Sequence, residues 1–370
     1  MIPFIDLVAQ YRTIQPEIDA AIQDVLTSGK FILGPNEHAF EEEMAAYLGV
    51  KHAIGVASGT DALVIALRAA GVGPDDEVIV PAYSFFATAG AVLTVGARPV
   101  FVDIHPDTYL MNMSGAEDVV TEHTKAIIPV HLYGLPADMD EVISFAGKHG
   151  LKVIEDNAQA FGAQYKGRYT ASIGDVGCLS FFPTKNLGAY GDGGMVTTND
   201  DQLAEQVRML RTHGWKKKYF PEMLGYNSRL DEMQAAVLRI KLKHVSEWNE
   251  RRTALAGRYT TYLSKLGVRT PVSAPDRSHV YHLYILRTAQ RERFREKLQE
   301  LGVSSAVYYP QPLHLSAPCQ KLGWKAGSLP VAEKAANETV AIAFYPEMSE
   351  DQIVSVLSAV EQLVQQGDLA

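Results

Sequence analysis

Between residues 50 and 200 the chain alternates short Val/Ile-rich runs with longer segments of helical period, and few folds accept that pattern. The runs are His52–Ala57, Glu77–Pro81, Pro99–Asp103, Ala126–Val130, Val153–Asp156, Val176–Phe182 and Met195–Thr198. Helical patterns at Asp61–Ala70, Phe85–Val95, Asp138–Lys148 and Gln202–Leu210 separate them. An apolar run without polar alternation is buried on both faces, and such strands build a mostly parallel sheet with helices on each side. An α/β core is therefore expected. Two amphipathic segments, Ile14–Leu26 and His38–Leu48, precede it, and a proline-free helical stretch, Leu230–Leu266, follows. After Gly267, Pro271 and Pro275 the pattern predicts a strand at Tyr281–Leu286, a helix at Glu292–Leu301, a strand at Val303–Tyr309 and a last helix at Asp351–Val364. A length of 370 residues suits roughly two domains. We expect a large domain at 1–250 and a smaller C-terminal α/β domain at 251–370.

Charge removes some functions. With 34 Lys+Arg against 43 Asp+Glu the net charge is −9, which repels phosphate backbones. The compact basic run Lys216-Lys217-Lys218 reads as a solvated turn, so no nucleic-acid partner is expected. Val78–Ala97 carries no charge and has the length of a membrane span, but Pro81, Ser84, Thr88, Gly90 and Gly96 interrupt it. No membrane partner is expected either. Cys178 and Cys319 cannot form a disulfide framework, and Met1–Asp6 lacks the basic start of a secretory signal. A cytoplasmic location is the expectation.

Three features carry chemistry. The run His52–Ala57 leads through Ser58-Gly59-Thr60-Asp61 into a helix, so amides at a positive dipole end are available to an anion. An ordinary Ser/Asp helix cap explains the same residues. Asp156 closes an apolar run at the end of the sheet where ligands of open α/β folds lie. A carboxylate there caps a helix, binds a metal or pairs with a cationic ring nitrogen. Lys185 follows the run Val176–Phe182, and Gly188, Gly191, Gly193 and Gly194 fold the chain tightly after it. An anion-binding turn, an acid and an amine on one sheet match what pyridoxal 5′-phosphate needs: phosphate anchorage, a partner for the protonated ring and an amine for the Schiff base.

At these residues the sequence resembles the DegT/StrS-type family of sugar-nucleotide aminotransferases, which are fold type I pyridoxal-phosphate enzymes. The resemblance runs in order through Gly29–Pro35, Ser58–Leu63, Glu155–Gly162, Ser180–Gly188, Gly191–Gly194 and Gly225–Asp231. It implies that Lys185 holds the cofactor and carries protons, while Asp156 pairs with the ring nitrogen. Gln159 would meet the ring hydroxyl and Tyr83 would stack on the ring. Gly59, Thr60, Asp61 and Ser180 would bind the phosphate, with Asn227 reaching it from the neighbouring subunit of a homodimer. Arg229, Tyr308, Tyr309 and His314 would contact the sugar or its anionic groups, and His282 is a further contact candidate. Where many relatives that aminate C3 carry His-Tyr-Pro, this chain has Tyr308-Tyr309-Pro310. The implied partners are L-glutamate and a nucleotide-linked keto-hexose, most simply a 3-keto sugar. A 4-keto sugar, a keto-inositol, an amino-acid transaminase and a non-catalytic regulator are the alternatives; loss of Lys185 or Asp156 would mark the last, and both are present.

Overall fold

The computed structural model describes residues 1–367. In chain order its elements are α1 (Leu7–Ser28), α2 (Pro35–Leu48), β1 (His52–Val56), α3 (Gly59–Ala69), β2 (Glu77–Pro81), α4 (Ala87–Thr94), β3 (Arg98–Val102), β4 (Thr124–Ile127), α5 (Met139–His149) and β5 (Lys152–Asp156). They continue through the short pair β6 (Gln164–Tyr165) and β7 (Arg168–Tyr169), then β8 (Val176–Ser180), β9 (Gly194–Thr198) and α6 (Asp201–Leu210). The pair β10 (Trp215–Lys217) and β11 (Phe220–Pro221) follows, then α7 (Glu232–Leu242) and α8 (Val245–Leu263). The remainder comprises β12 (Tyr284–Arg287), α9 (Arg291–Glu300), β13 (Ser305–Ala306), α10 (Pro330–Glu338), β14 (Thr339–Ile342) and α11 (Glu350–Gln365).

The main sheet has seven strands in the order β1-β9-β8-β5-β4-β2-β3. Only β9 runs against the rest, antiparallel to both β1 and β8. Both faces are covered, as the apolar runs require. Val56, Val80, Ile154 and Val176 pack towards α3 and α6, whereas Ile79, Ile127 and Val153 meet α5 on the other face. The mostly parallel α/β architecture of a fold type I transferase is therefore present. The carboxyl ends of β1, β2, β5 and β8 share one edge, and the loops leaving that edge build the cavity described below.

A second sheet, in the order β12-β14-β13, is antiparallel and packs its own apolar cluster of Tyr284, Leu286, Val340 and Ile342 against α8, α9 and α11. Residue 250 lies inside α8, and the expected second domain, 251–370, runs three residues past the described ones. The helical stretch Leu230–Leu266 is two helices: α7 packs on α1 and α2, α8 turns to α11, and the chain bends at Lys243-His244. The strand expected at Val303–Tyr309 joins the sheet only at Ser305–Ala306, with Val303 bridging Ile2 instead, because Tyr308 and Tyr309 leave the sheet to meet Tyr83. No described helix is long and apolar enough to cross a membrane.

Candidate active site

Each strand end contributes one part. Ser58 keeps extended backbone angles before α3, and its Oγ accepts from the Asp61 N–H at 3.1 Å. The cap reading is thus correct, and it coexists with the anion reading. Gly59 and Thr60 lie in the first helical turn, whose amides have no intrahelical acceptor, and both line a cavity of 380 Å³. Ser180, at the end of β8, faces them. A Cβ on Gly59 would come within 2.5 Å of the Ser180 Cβ, so the two turns close into a cradle only with glycine there.

Asp156 ends β5 and forms part of the cavity wall. Its Oδ2 accepts from Thr88 Oγ1 at 2.8 Å and its Oδ1 from the Ala158 N–H at 3.2 Å. Burial pushes its carboxyl above the ordinary value, opposed by those hydrogen bonds and by the Lys185 charge. One residue earlier, strand alternation turns Glu155 to the other face. There it accepts from the amides of Ala171, Ile173 and Gly174 and meets His131 Nε2 at 3.0 Å, so its role is structural.

Lys185 sits in the return after β8, held by its own N–H on the Phe182 carbonyl at 2.9 Å. The neighbouring Asn186 donates to Asn249 and to the Val280 carbonyl. Gly188 closes the return; any side chain there would meet the Pro183 carbonyl oxygen at 2.3 Å. Burial lowers the Lys185 amine to about 8, and Asp156 opposes the shift. The free amine is the reactive form. Cofactor-free protein is therefore expected to take up pyridoxal phosphate faster as pH rises through about 8, instead of near the ordinary 10.5. Stopped-flow absorbance against pH checks this. Asp156→Asn should move the midpoint lower, because the carboxylate that favours the ammonium is gone.

The cavity also gathers Gln159, Tyr308 and Tyr309. Gln159 Oε1 accepts from the Tyr133 N–H at 2.8 Å, and its Nε2 donates to the Tyr309 hydroxyl at 2.8 Å. Other expected residues lie elsewhere. Tyr83 does not line the cavity; its ring is buried and its hydroxyl engages the backbone at Tyr308 and Tyr309. Phe85, two residues on and 53% exposed, is the aromatic side chain of that loop that faces the cavity. Asp61 turns its carboxylate to Ser228 Oγ at 2.6 Å, and its N–H is already capped, so it presents no donor to a phosphate. His314 is buried beside Phe101 and Trp324 with Nε2 3.2 Å from Glu333, away from the cavity. Asn227 is exposed, Arg229 is half-buried, and neither lines the cavity of a single chain.

Sequence reasoning missed Thr88, Phe85, Phe182 and Thr184, and left His282 as a bare candidate. His282 is buried in the cavity wall, and burial holds its imidazole well below the usual value, with the Lys185 and Arg252 charges adding to the effect. Spacing carries no signal for Thr88, which reaches Asp156 from α4, a helix packed on α3, β2 and β3. Phe85 was within reach, since it shares the loop with Tyr83.

The residues present fit pyridoxal 5′-phosphate. The glycine-lined cradle with Ser58, Thr60 and Ser180 suits a phosphate, Asp156 suits a protonated ring nitrogen, and Lys185 supplies an amine to the same cavity.

Comparison with known proteins agrees. The model of the DegT/DnrJ/EryC1/StrS aminotransferase family matches residues 12–361. The chain is 51% identical to a pleiotropic regulatory protein of Geobacillus stearothermophilus, over 95% of each chain. It is 47% identical to the UDP-N-acetyl-3-dehydro-alpha-D-glucosamine 3-aminotransferase of Acidithiobacillus ferrooxidans, over 98% of this chain and 97% of that one. Among solved structures, S. venezuelae DesV in complex with a ketimine intermediate superposes with a TM-score of 0.96 at 47% identity, covering 98% of both chains.

Proposed function

We propose that this chain, which belongs to the DegT/DnrJ/EryC1/StrS aminotransferase family and is a pyridoxal-phosphate-dependent transaminase, moves the amino group of L-glutamate onto C3 of a nucleotide-linked 3-keto-hexose. The observation that carries the reading is the meeting of Lys185, Asp156 and the Ser58-Gly59-Thr60 turn in one cavity. The choice of C3 is supported by the 3-aminotransferase of Acidithiobacillus ferrooxidans. Bound there, the cofactor supplies an aldehyde that exchanges amines and a protonated ring that accepts an electron pair.

The protein's own residues do the rest. Gly59, Thr60 and Ser180 hold the phosphate with amide and hydroxyl donors. Asp156 keeps a proton on the ring nitrogen, and Thr88 fixes the carboxylate's orientation. Lys185 would hold the cofactor through its amine and carry a proton at its Nζ between the substrate carbon and the cofactor. Phe85 covers one wall and excludes water.

A homodimer and a cytoplasmic location belong to the same proposal, as does the division into 1–250 and 251–370. Tyr219, Phe220 and Leu224 are 72%, 62% and 83% exposed around β10 and β11, on the segment that leads to Asn227. Apolar side chains bared together call for a partner surface. If Asn227 completes the partner's cradle, mixing Asn227→Ala with Lys185→Ala chains restores one intact site in each mixed dimer, about a quarter of wild-type sites after random exchange. Activity that stays at the level of the separate variants would mean that each site is built from one chain.

The direct test follows the visible absorption of the loaded enzyme. L-glutamate should remove the colour, and a 3-keto nucleotide sugar should restore it. Recovery only with a 4-keto sugar or a keto-inositol would move the position of amination, and recovery only with a keto acid would make the enzyme an amino-acid transaminase. The regulatory role named for the Geobacillus stearothermophilus relative predicts no colour change at all.

A further inference from the structure

The hydrogen bonds around Tyr309 form a closed set. Because the Tyr133 N–H binds Gln159 Oε1, the amide orientation is fixed and Nε2 is the donor to the Tyr309 hydroxyl. That hydroxyl therefore accepts from the protein, and its own proton is left for whatever occupies the cavity. The backbone of the same residue is gripped from the other side. The Tyr309 N–H donates to the Tyr83 hydroxyl at 2.8 Å, and the Tyr83 hydroxyl donates to the Tyr308 carbonyl at 2.8 Å. The Tyr133 hydroxyl donates to that carbonyl as well. Thr339 Oγ1, at the start of β14, lies 2.7 Å from the Tyr83 hydroxyl and ties the arrangement to the second sheet.

We propose that Tyr83 and Tyr133 are positioning residues that clamp the Tyr308–Tyr309 peptide so that the Tyr309 hydroxyl donates a hydrogen bond to an oxygen of the keto sugar. The inference rests on the sugar-nucleotide reading above. The location of Tyr309 favours the sugar over the amino donor. Besides the Lys185 cavity it lines a second, adjoining hollow of 410 Å³ walled by Phe86, Pro310, Leu313 and Pro318. A nucleotide-linked sugar needs both spaces and passes Tyr309 at their junction; glutamate needs only the first. The donor is a neutral, half-buried hydroxyl, and a hydrogen bond shielded by a bound ligand discriminates strongly against one that cannot accept it.

The two half-reactions separate the roles. Tyr309→Phe should slow the sugar half-reaction by about tenfold to a hundredfold at limiting sugar. Tyr83→Phe and Tyr133→Phe, each removing one grip, should slow it by about tenfold, with conversion by L-glutamate within about twofold of wild type. Tyr83→Phe combined with Tyr309→Phe should be no slower than Tyr309→Phe alone, because the clamp acts through Tyr309. Independently of turnover, hydrogen exchange of the Tyr309 amide should speed up about tenfold or more in Tyr83→Phe. Equal losses in both half-reactions, multiplicative losses in the double variant, or unchanged amide exchange would overturn the clamp. Wild-type enzyme that reacts with L-glutamate but with no nucleotide-linked keto sugar would sink the substrate reading. Normal sugar turnover by wild type, with Tyr309→Phe equally fast, would sink this inference alone.

Discussion

Lys185→Ala is expected to lower transamination by about 10⁴-fold while the melting temperature stays within a few degrees of wild type. The size of the loss follows from the two tasks of one amine, which holds the cofactor and moves the proton at the substrate carbon. The small effect on folding follows from its surroundings: the side chain projects into the cavity, while its loop is held by Asn186, Gly188 and backbone bonds that the substitution leaves in place. Single-turnover absorbance and thermal unfolded fraction check the two halves. Turnover within tenfold of wild type would remove the assignment of Lys185, and a collapsed fold would show that the loop depends on the side chain after all.

Asp156→Ala is expected to cost about 10³-fold in turnover together with roughly 1–3 kcal/mol of stability. The stability term has a definite source, since Thr88 Oγ1 and the Ala158 N–H lose their buried acceptors. Asp156→Asn separates the terms. It keeps an acceptor oxygen and the volume, so most of the stability should return, but the negative charge opposite the ring nitrogen is lost and the catalytic defect should remain. Activity above a tenth of wild type in Asp156→Asn would mean that shape, and not charge, is what the position provides.

The strand ends were legible in the sequence because unbroken Val/Ile runs stop where the sheet meets its ligand. Asp156 closes such a run and Ser58 and Lys185 follow others, and all three line one cavity. Side-chain direction past a strand end was not legible. Tyr83 and Phe85 leave the same strand, yet the first turns inward to a carbonyl some 225 positions away in sequence and only the second faces the cavity. His314 drew attention as a titratable group in a suggestive segment, but it packs on Phe101, more than two hundred residues earlier, and on Trp324 and Glu333 from the chain that follows it, a grouping no local pattern joins. In the C-terminal part the pattern announced the strands that became β12 and β13 but not β14, which is only four residues long and stands at the centre of their sheet.

The reversed strand β9 has a consequence for how the protein is made. β1 has no neighbour in the sheet other than β9, with His52 opposite Thr198 and Val56 opposite Gly194. During synthesis the apolar strand that leads into the phosphate-binding turn must therefore wait, unpaired, until nearly 150 further residues have left the ribosome. A nascent chain halted before Gly194 holds a sheet edge with nothing to cover it, so stalled or truncated products of this gene should depend on chaperones far more than the finished enzyme does.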